Sequence, residues 1–117
     1  MTTNLKQLSD FLLRLGGLHD TTLVAVDWRL ESRTIQFEFD DLYANFGGLP
    51  EYPGRHTGII KLEGITQIDF NFEATDRVRV FEILPAEERS DEVLAKFSPS
   101  GSIRIRFTSA IYPEALI

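Results

Sequence analysis

Leucine recurs at positions 5, 8, 12 and 15. This spacing puts all four side chains on one stripe of an α-helix. Asn4 with Gln7 supplies a cap at the start, and Gly16-Gly17 supplies the stop, because glycine closes a helix in the left-handed conformation at no steric cost. Phe11 and Leu13 widen the apolar surface. The spacing predicts a helix over residues 4–15, lying on a sheet. A dimerising leucine seam would need a longer repeat, since this one runs for under two heptads.

From residue 22 the period falls to two. Val24, Val26, Trp28 and Leu30 share one parity against Asp27, Arg29 and Glu31. After the turn Glu31-Ser32-Arg33, alternation resumes with Ile35, Phe37 and Phe39 against Gln36, Glu38 and Asp40, as in a β-hairpin. Strand pattern returns at Ile60 and Leu62, pauses at Gly64, and continues through Ile68, Phe70 and Phe72. A turn at Ala74-Thr75-Asp76 leads into a strand over 77–84, closed by Pro85. There Val78 and Val80 have one parity and Phe81 and Ile83 the other. That pattern fits either a bulge near Val80 or a strand buried on both faces. Ser90-Asp91-Glu92 resembles a helix start and predicts a short helix over 90–96. Ser98-Pro99-Ser100-Gly101 is a turn, and Ile103, Ile105 and Phe107 form the last strand. Pro113 argues against regular structure beyond it.

The fold expected is therefore α+β. An N-terminal helix packs on a mostly antiparallel sheet of about six strands, with a short helix before the last strand. Short connections favour antiparallel neighbours, and clean alternation implies one buried sheet face and one wet face. The chain of 117 residues fits one domain over 1–117 and can bury a real core. Outward bases Arg77, Arg79, Arg104 and Arg106, and outward acids Glu38, Asp40, Asp69 and Glu73, are placed to register neighbouring strands.

Charge narrows the possible partners. The net charge is −6, which disfavours a phosphate backbone as ligand unless those four arginines form one basic stripe. The absence of cysteine excludes disulfides, thiolate nucleophiles and Cys-ligated zinc. With no export pattern at the start and no apolar run long enough for a bilayer, a cytoplasmic, non-membrane protein is expected.

Candidate chemistry is sparse. No Gly-x-Ser-x-Gly elbow or phosphate loop is present, so no catalytic residue, metal site or cofactor is expected. His19-Asp20 occurs as a ligand pair in helical metal phosphohydrolases. Here only His56 joins it as a second histidine, so packing or hydrogen bonding at the helix–strand corner is the expected role. Residues 42–56 form a long loop rich in turn formers and aromatics. Tyr43, Tyr52, Arg55 and His56, with Trp28 below if the loop folds inward, are the candidate ligand-binding residues. A loop folded over the sheet edge, its aromatics covering the core, outweighs this reading, because an edge needs covering.

The stretch Gly17-Leu18-His19-Asp20, followed by an alternating hairpin through Phe39, resembles the opening of several small bacterial β-rich domains. Some immunity-type proteins of bacterial toxin systems are similar in size, acidity and layout. The resemblance covers the first third of the chain. It implies a bacterial cytoplasmic protein and assigns no catalytic residue. The function expected is a non-enzymatic protein-interaction domain, immunity-like in one version, with a protein partner or a second copy as its target. The competing expectation is a small-molecule or enzymatic site between the 42–56 loop and the sheet.

Overall fold

The computed structural model describes residues 2–3, 5–71, 78–85, 92–98 and 100–116. Helix α1 spans Leu5–Arg14. Leu8, Phe11, Leu12 and Leu15 are buried, while Gln7, Asp10, Leu13 and Arg14 face water. Leu8, Leu12 and Leu15 of the stripe therefore bury as their spacing requires, whereas Leu13 is left outside. Gly16 and Gly17 follow, both at φ +68°, and turn the chain away. The close approach also matters at Gly16, where a Cβ would lie 2.2 Å from Asn45 Nδ2. The expected cap Asn4 lies outside the described residues.

Nine strands make up the sheet among the described residues. They are β1 (Thr2–Thr3), β2 (Thr22–Arg29), β3 (Thr34–Phe39), β4 (Gly58–Glu63), β5 (Gln67–Asn71), β6 (Val78–Pro85), β7 (Glu92–Ser98), β8 (Ser102–Arg106) and β9 (Ser109–Ile111). Their order is β1-β9-β4-β3-β2-β6-β7-β8-β5, and every neighbouring pair is antiparallel. An antiparallel sheet with one helix was legible from the period; the short β1 and β9, and β7 in place of the expected second helix, raise the count above six.

The sheet bends sharply where β4 passes into β5 and β8 passes into β9. Thr108 N–H donates to Glu63 O at 2.9 Å, and Thr66 N–H donates to Arg106 O at 3.0 Å, so the β4·β9 ladder hands over to the β5·β8 ladder. Gly64 makes the corner: its φ is +68°, and a Cβ there would meet Thr108 Oγ1 at 2.0 Å. The bend brings the apolar faces of the two ends of the sheet together. Ile35, Phe37, Phe39, Ile60, Leu62, Val80, Ile83, Val93, Ala95, Phe97, Ile103, Ile105 and Ala110 converge with Leu8 and Leu12 in one core. A void of about 20 Å³ remains at the centre, lined by apolar side chains only. Such a void offers water no polar partner and stays dry.

Two expectations need correction. Residues 92–98 are strand β7, not helix; residues 90–91 of the expected helix lie outside the described residues, as does the expected turn at 74–76. Val93, Ala95 and Phe97 are buried while Lys96 is exposed, so a period of two outweighs the helix-start signal. In β6 the bulge is real and falls between Val80 and Glu82, yet it does not bring all four apolar residues inside. Val80 and Ile83 are buried, and Phe81, on the bulge itself, stays outside at 50% exposure.

Candidate functional site

The 42–56 loop is built around a carboxylate that precedes it. Asp41 is buried, and its Oδ1 accepts the backbone N–H groups of Tyr43 at 3.0 Å and His56 at 3.2 Å. Its Oδ2 accepts the Tyr52 hydroxyl at 2.5 Å. Leu42 N–H donates to His56 O at 2.9 Å, so the two ends of the loop are tied together. Donation to Asp41 is the main reason the Tyr52 phenol titrates above its usual range; burial and the Asp41 charge act the same way. Beside it, Asp40 Oδ1 accepts Thr22 N–H at 2.8 Å and Thr21 Oγ1–H at 3.2 Å. Arg55 donates to Asp40 O at 3.4 Å and holds its guanidinium 3.8 Å from the Asp40 carboxylate.

The structure therefore gathers four of the five expected site residues. Tyr43 is buried, accepts Leu116 N–H at 2.8 Å, and meets the His56 ring edge-on at 5.6 Å. His56 is exposed and its Nδ1–H donates to Gly54 O at 2.9 Å. All four side chains are engaged in holding the loop against the sheet. Trp28 is not among them. It pairs across from Ile35, near the start of β3, whereas the loop leaves after Phe39 at the other end. Asp41 was missed in the sequence because an acid directly after a strand reads as a turn residue. Its spacing to Tyr52 carries no periodic signal.

His19 sits at the helix–strand corner. Its Nδ1–H donates to Phe81 O at 2.7 Å, and its ring meets Phe81 edge-on. Asp20 N–H donates to Val80 O. Among the described residues no three His, Asp or Glu side chains converge as a metal site. Of the four arginines expected outward, Arg77 lies outside the described residues, and Arg104 and Arg106 are not free. Glu92, nearly enclosed, lies 3.2 Å from Arg104 and 3.5 Å from Arg106, while Asp69 sits opposite Arg104 in the β5·β8 ladder.

The unusual surface lies along β2. Val26 and Trp28 are on the same face as Phe37 and Ile35, which are buried. Among the described residues, β6 pairs with β2 only at Thr22 and Leu23, which leaves residues 25–29 paired with β3 alone. Val24, Val26, Trp28 and Leu30 are 58%, 38%, 44% and 72% exposed. Phe70 of β5, also exposed, meets Trp28 with ring centroids 5.5 Å apart. Beyond this contact a groove of about 230 Å³ opens between the β2–β3 turn and β5, lined by Trp28, Leu30, Arg33, Ile65, Ile68 and the polar Thr66 and Gln67. Alternation placed Val24, Val26, Trp28 and Leu30 on one face; the bulge between Leu23 and Ala25 takes Val24 out of that register, and Leu30 lies in the turn beyond β2. Comparison with protein-family models, curated proteins and solved structures finds no match for this chain.

Proposed function

We propose that this chain is a non-enzymatic protein-interaction domain that presents the exposed half of β2 to a partner. One observation carries this: Val24, Val26 and Trp28 of β2 and Leu30 just beyond it stand exposed, with Phe70 against Trp28. Contiguous exposed apolar surface of this kind marks docking sites, and a half-exposed Trp flanked by aliphatic residues is the composition of an interface hot spot. The net charge of −6 favours a basic partner by steering its approach. An immunity-type role, in which the acidic domain blocks a basic toxin, is one form of this reading. No helix among the described residues is long and apolar enough to cross a membrane.

The competing site between the 42–56 loop and the sheet would use Tyr43, Tyr52, Arg55 and His56. Their hydrogen bonds and packing supply the loop's own anchorage, so the β2 surface is preferred. The test compares capture by the immobilised native chain with capture by Trp28→Glu and by the loop variant Arg55→Ala, all checked for folding. A protein retained one-to-one by native and Arg55→Ala, and lost by Trp28→Glu, supports the proposal. Equal retention by all three, or recovery of no partner and no second copy, overturns it.

A further inference from the structure

Among the described residues, the groove at the end of the β2 surface combines two properties. Its walls are apolar at Trp28, Leu30, Ile65 and Ile68, and its one charged member is Arg33. Among the described residues Arg33 forms no ion pair. The concavity between α1 and residues 112–115 holds Arg14 but also Asp10 and Glu114, and the one on the outer face of β3 and β4 balances Lys61 with Glu38. An uncompensated guanidinium beside an apolar hollow, on an acidic protein, selects a ligand with an apolar body and an anionic group. Arg matches a carboxylate in particular, since its planar fork donates two parallel hydrogen bonds.

We infer that this groove recognises the C-terminal residue of a partner chain, taking its apolar side chain against Trp28, Leu30 and Ile68 and its free carboxylate on Arg33. The inference rests on the proposed protein-interaction role and names what the partner must present. Two points favour a chain end over an internal acid. In an extended segment, neighbouring side chains point to opposite faces, so an acid next to an apolar residue turns away from the groove that holds that residue. A terminal residue carries its carboxylate on the same Cα as the apolar side chain, and both reach one site. The volume of about 230 Å³ has room for one large side chain with its carboxylate. Capture of a terminal carboxylate is an established mode of peptide recognition.

Trp28 is the chain's one tryptophan and lines the groove, so its fluorescence reports occupancy directly. The probes are the tetrapeptide acetyl-Gly-Gly-Ser-Leu as free acid, the same peptide as C-terminal amide, and N-acetyl-leucine. The native chain is expected to bind the free acid at least tenfold more tightly than the amide. Arg33→Gln should abolish that difference while leaving amide binding unchanged, and Leu30→Glu should remove binding of both. Equal affinity for acid and amide, an acid preference that survives Arg33→Gln, or no response to any probe would overturn the inference. N-acetyl-leucine binding as tightly as the peptide would overturn the protein chain end as the source and assign the groove to a small carboxylate. If the probes fail while Trp28→Glu still abolishes partner capture, the terminal-residue inference falls and the β2 docking surface stands.

Discussion

Trp28 and Ile35 face each other directly in the β2–β3 ladder, yet Ile35 is fully buried and Trp28 is 44% exposed. Cross-strand partners share a sheet face, so the difference comes from what lies above them and not from orientation. Ile35 belongs to the core cluster; Trp28 lies beyond Leu23, the last β2 residue that pairs with β6 among the described residues. Truncating each side chain should therefore have very different costs. Ile35→Ala removes packed core and leaves a cavity, for a loss of about 2–5 kcal/mol. Trp28→Ala gives up only the half of the ring already out of water, for a loss of at most about 1–2 kcal/mol. Urea denaturation followed by circular dichroism separates the two. Equal losses would mean that Trp28 is core, and the docking surface would lose its central residue.

The Asp41–Tyr52 hydrogen bond makes a prediction about alkaline pH. The folded-state phenol is held above its ordinary value of 10.0, chiefly by donating to Asp41. A group that binds its proton more tightly in the folded state contributes full stability below its unfolded pKa and loses it as pH rises through the folded one. Stability attributable to Tyr52 is therefore constant through neutral pH and declines above about pH 10. The difference in stability between native and Tyr52→Phe should be flat from pH 6 to 9 and shrink toward pH 11. A constant difference over the whole range would break the link. Removing the acceptor is harsher: Asp41→Ala strands two backbone N–H groups and the phenol, at about 1–3 kcal/mol for each buried donor left without a partner. Hydrogen exchange at Tyr43 and His56 should accelerate in that variant.

Much of this fold could be read from local pattern, because α1 and most strands keep a strict period. Leu8, Leu12 and Leu15 bury as spaced, and Ile35, Phe37 and Phe39 bury as alternated. What escaped depends on partners distant in sequence. Glu92 looked like a helix-start acid because Ser90 and Asp91 precede it; in the fold it is the counterion of Arg104 and Arg106, on the next strand. Val80 and Ile83 have opposite parities, and the bulge at Val80/Glu82 brings both inside while Phe81 stays out. The candidate loop was visible through its aromatics, but Asp41, which holds it, was not, because hydrogen bonding to a backbone N–H leaves no compositional trace. The exposed half of β2 was hidden for the same reason: alternation gives the face of a residue and never the extent of its cover.

The dry void at the core centre sets up an opposed pair of substitutions. Ala95 lines it and Ala110 does not, although both are buried. Two added methyl groups at position 95 have space to enter, so Ala95→Val should stabilise by about 0.5–1 kcal/mol, the usual return for filling a cavity. The same change at Ala110 has no such space and should cost about 1–3 kcal/mol through overpacking. Thermal unfolding reads both, with a midpoint rise of a few degrees for Ala95→Val and a fall for Ala110→Val. A fall for both would show that the void is not reachable from β7.

Glu92 is the last test, because it bears on both stability and partner choice. Its side chain is 3% exposed, while those of Arg104 and Arg106 are 44% and 29% exposed. Breaking a fully buried ion pair costs about 3–5 kcal/mol, but both guanidinium groups here reach water, so Glu92→Gln should cost a discounted ~1–3 kcal/mol. The loss should shrink when salt is raised, since added ions screen the repulsion left between the two arginines. The same substitution frees two positive charges on one sheet face. The native chain, with those charges held by Glu92 and a net charge of −6, should show no affinity for a single-stranded oligonucleotide at 0.1 M salt. Glu92→Gln should gain weak, salt-sensitive binding. Firm binding by the native chain would make the outer face of β7 and β8 a nucleic-acid surface and displace the exposed half of β2 as the place where this domain meets its partner.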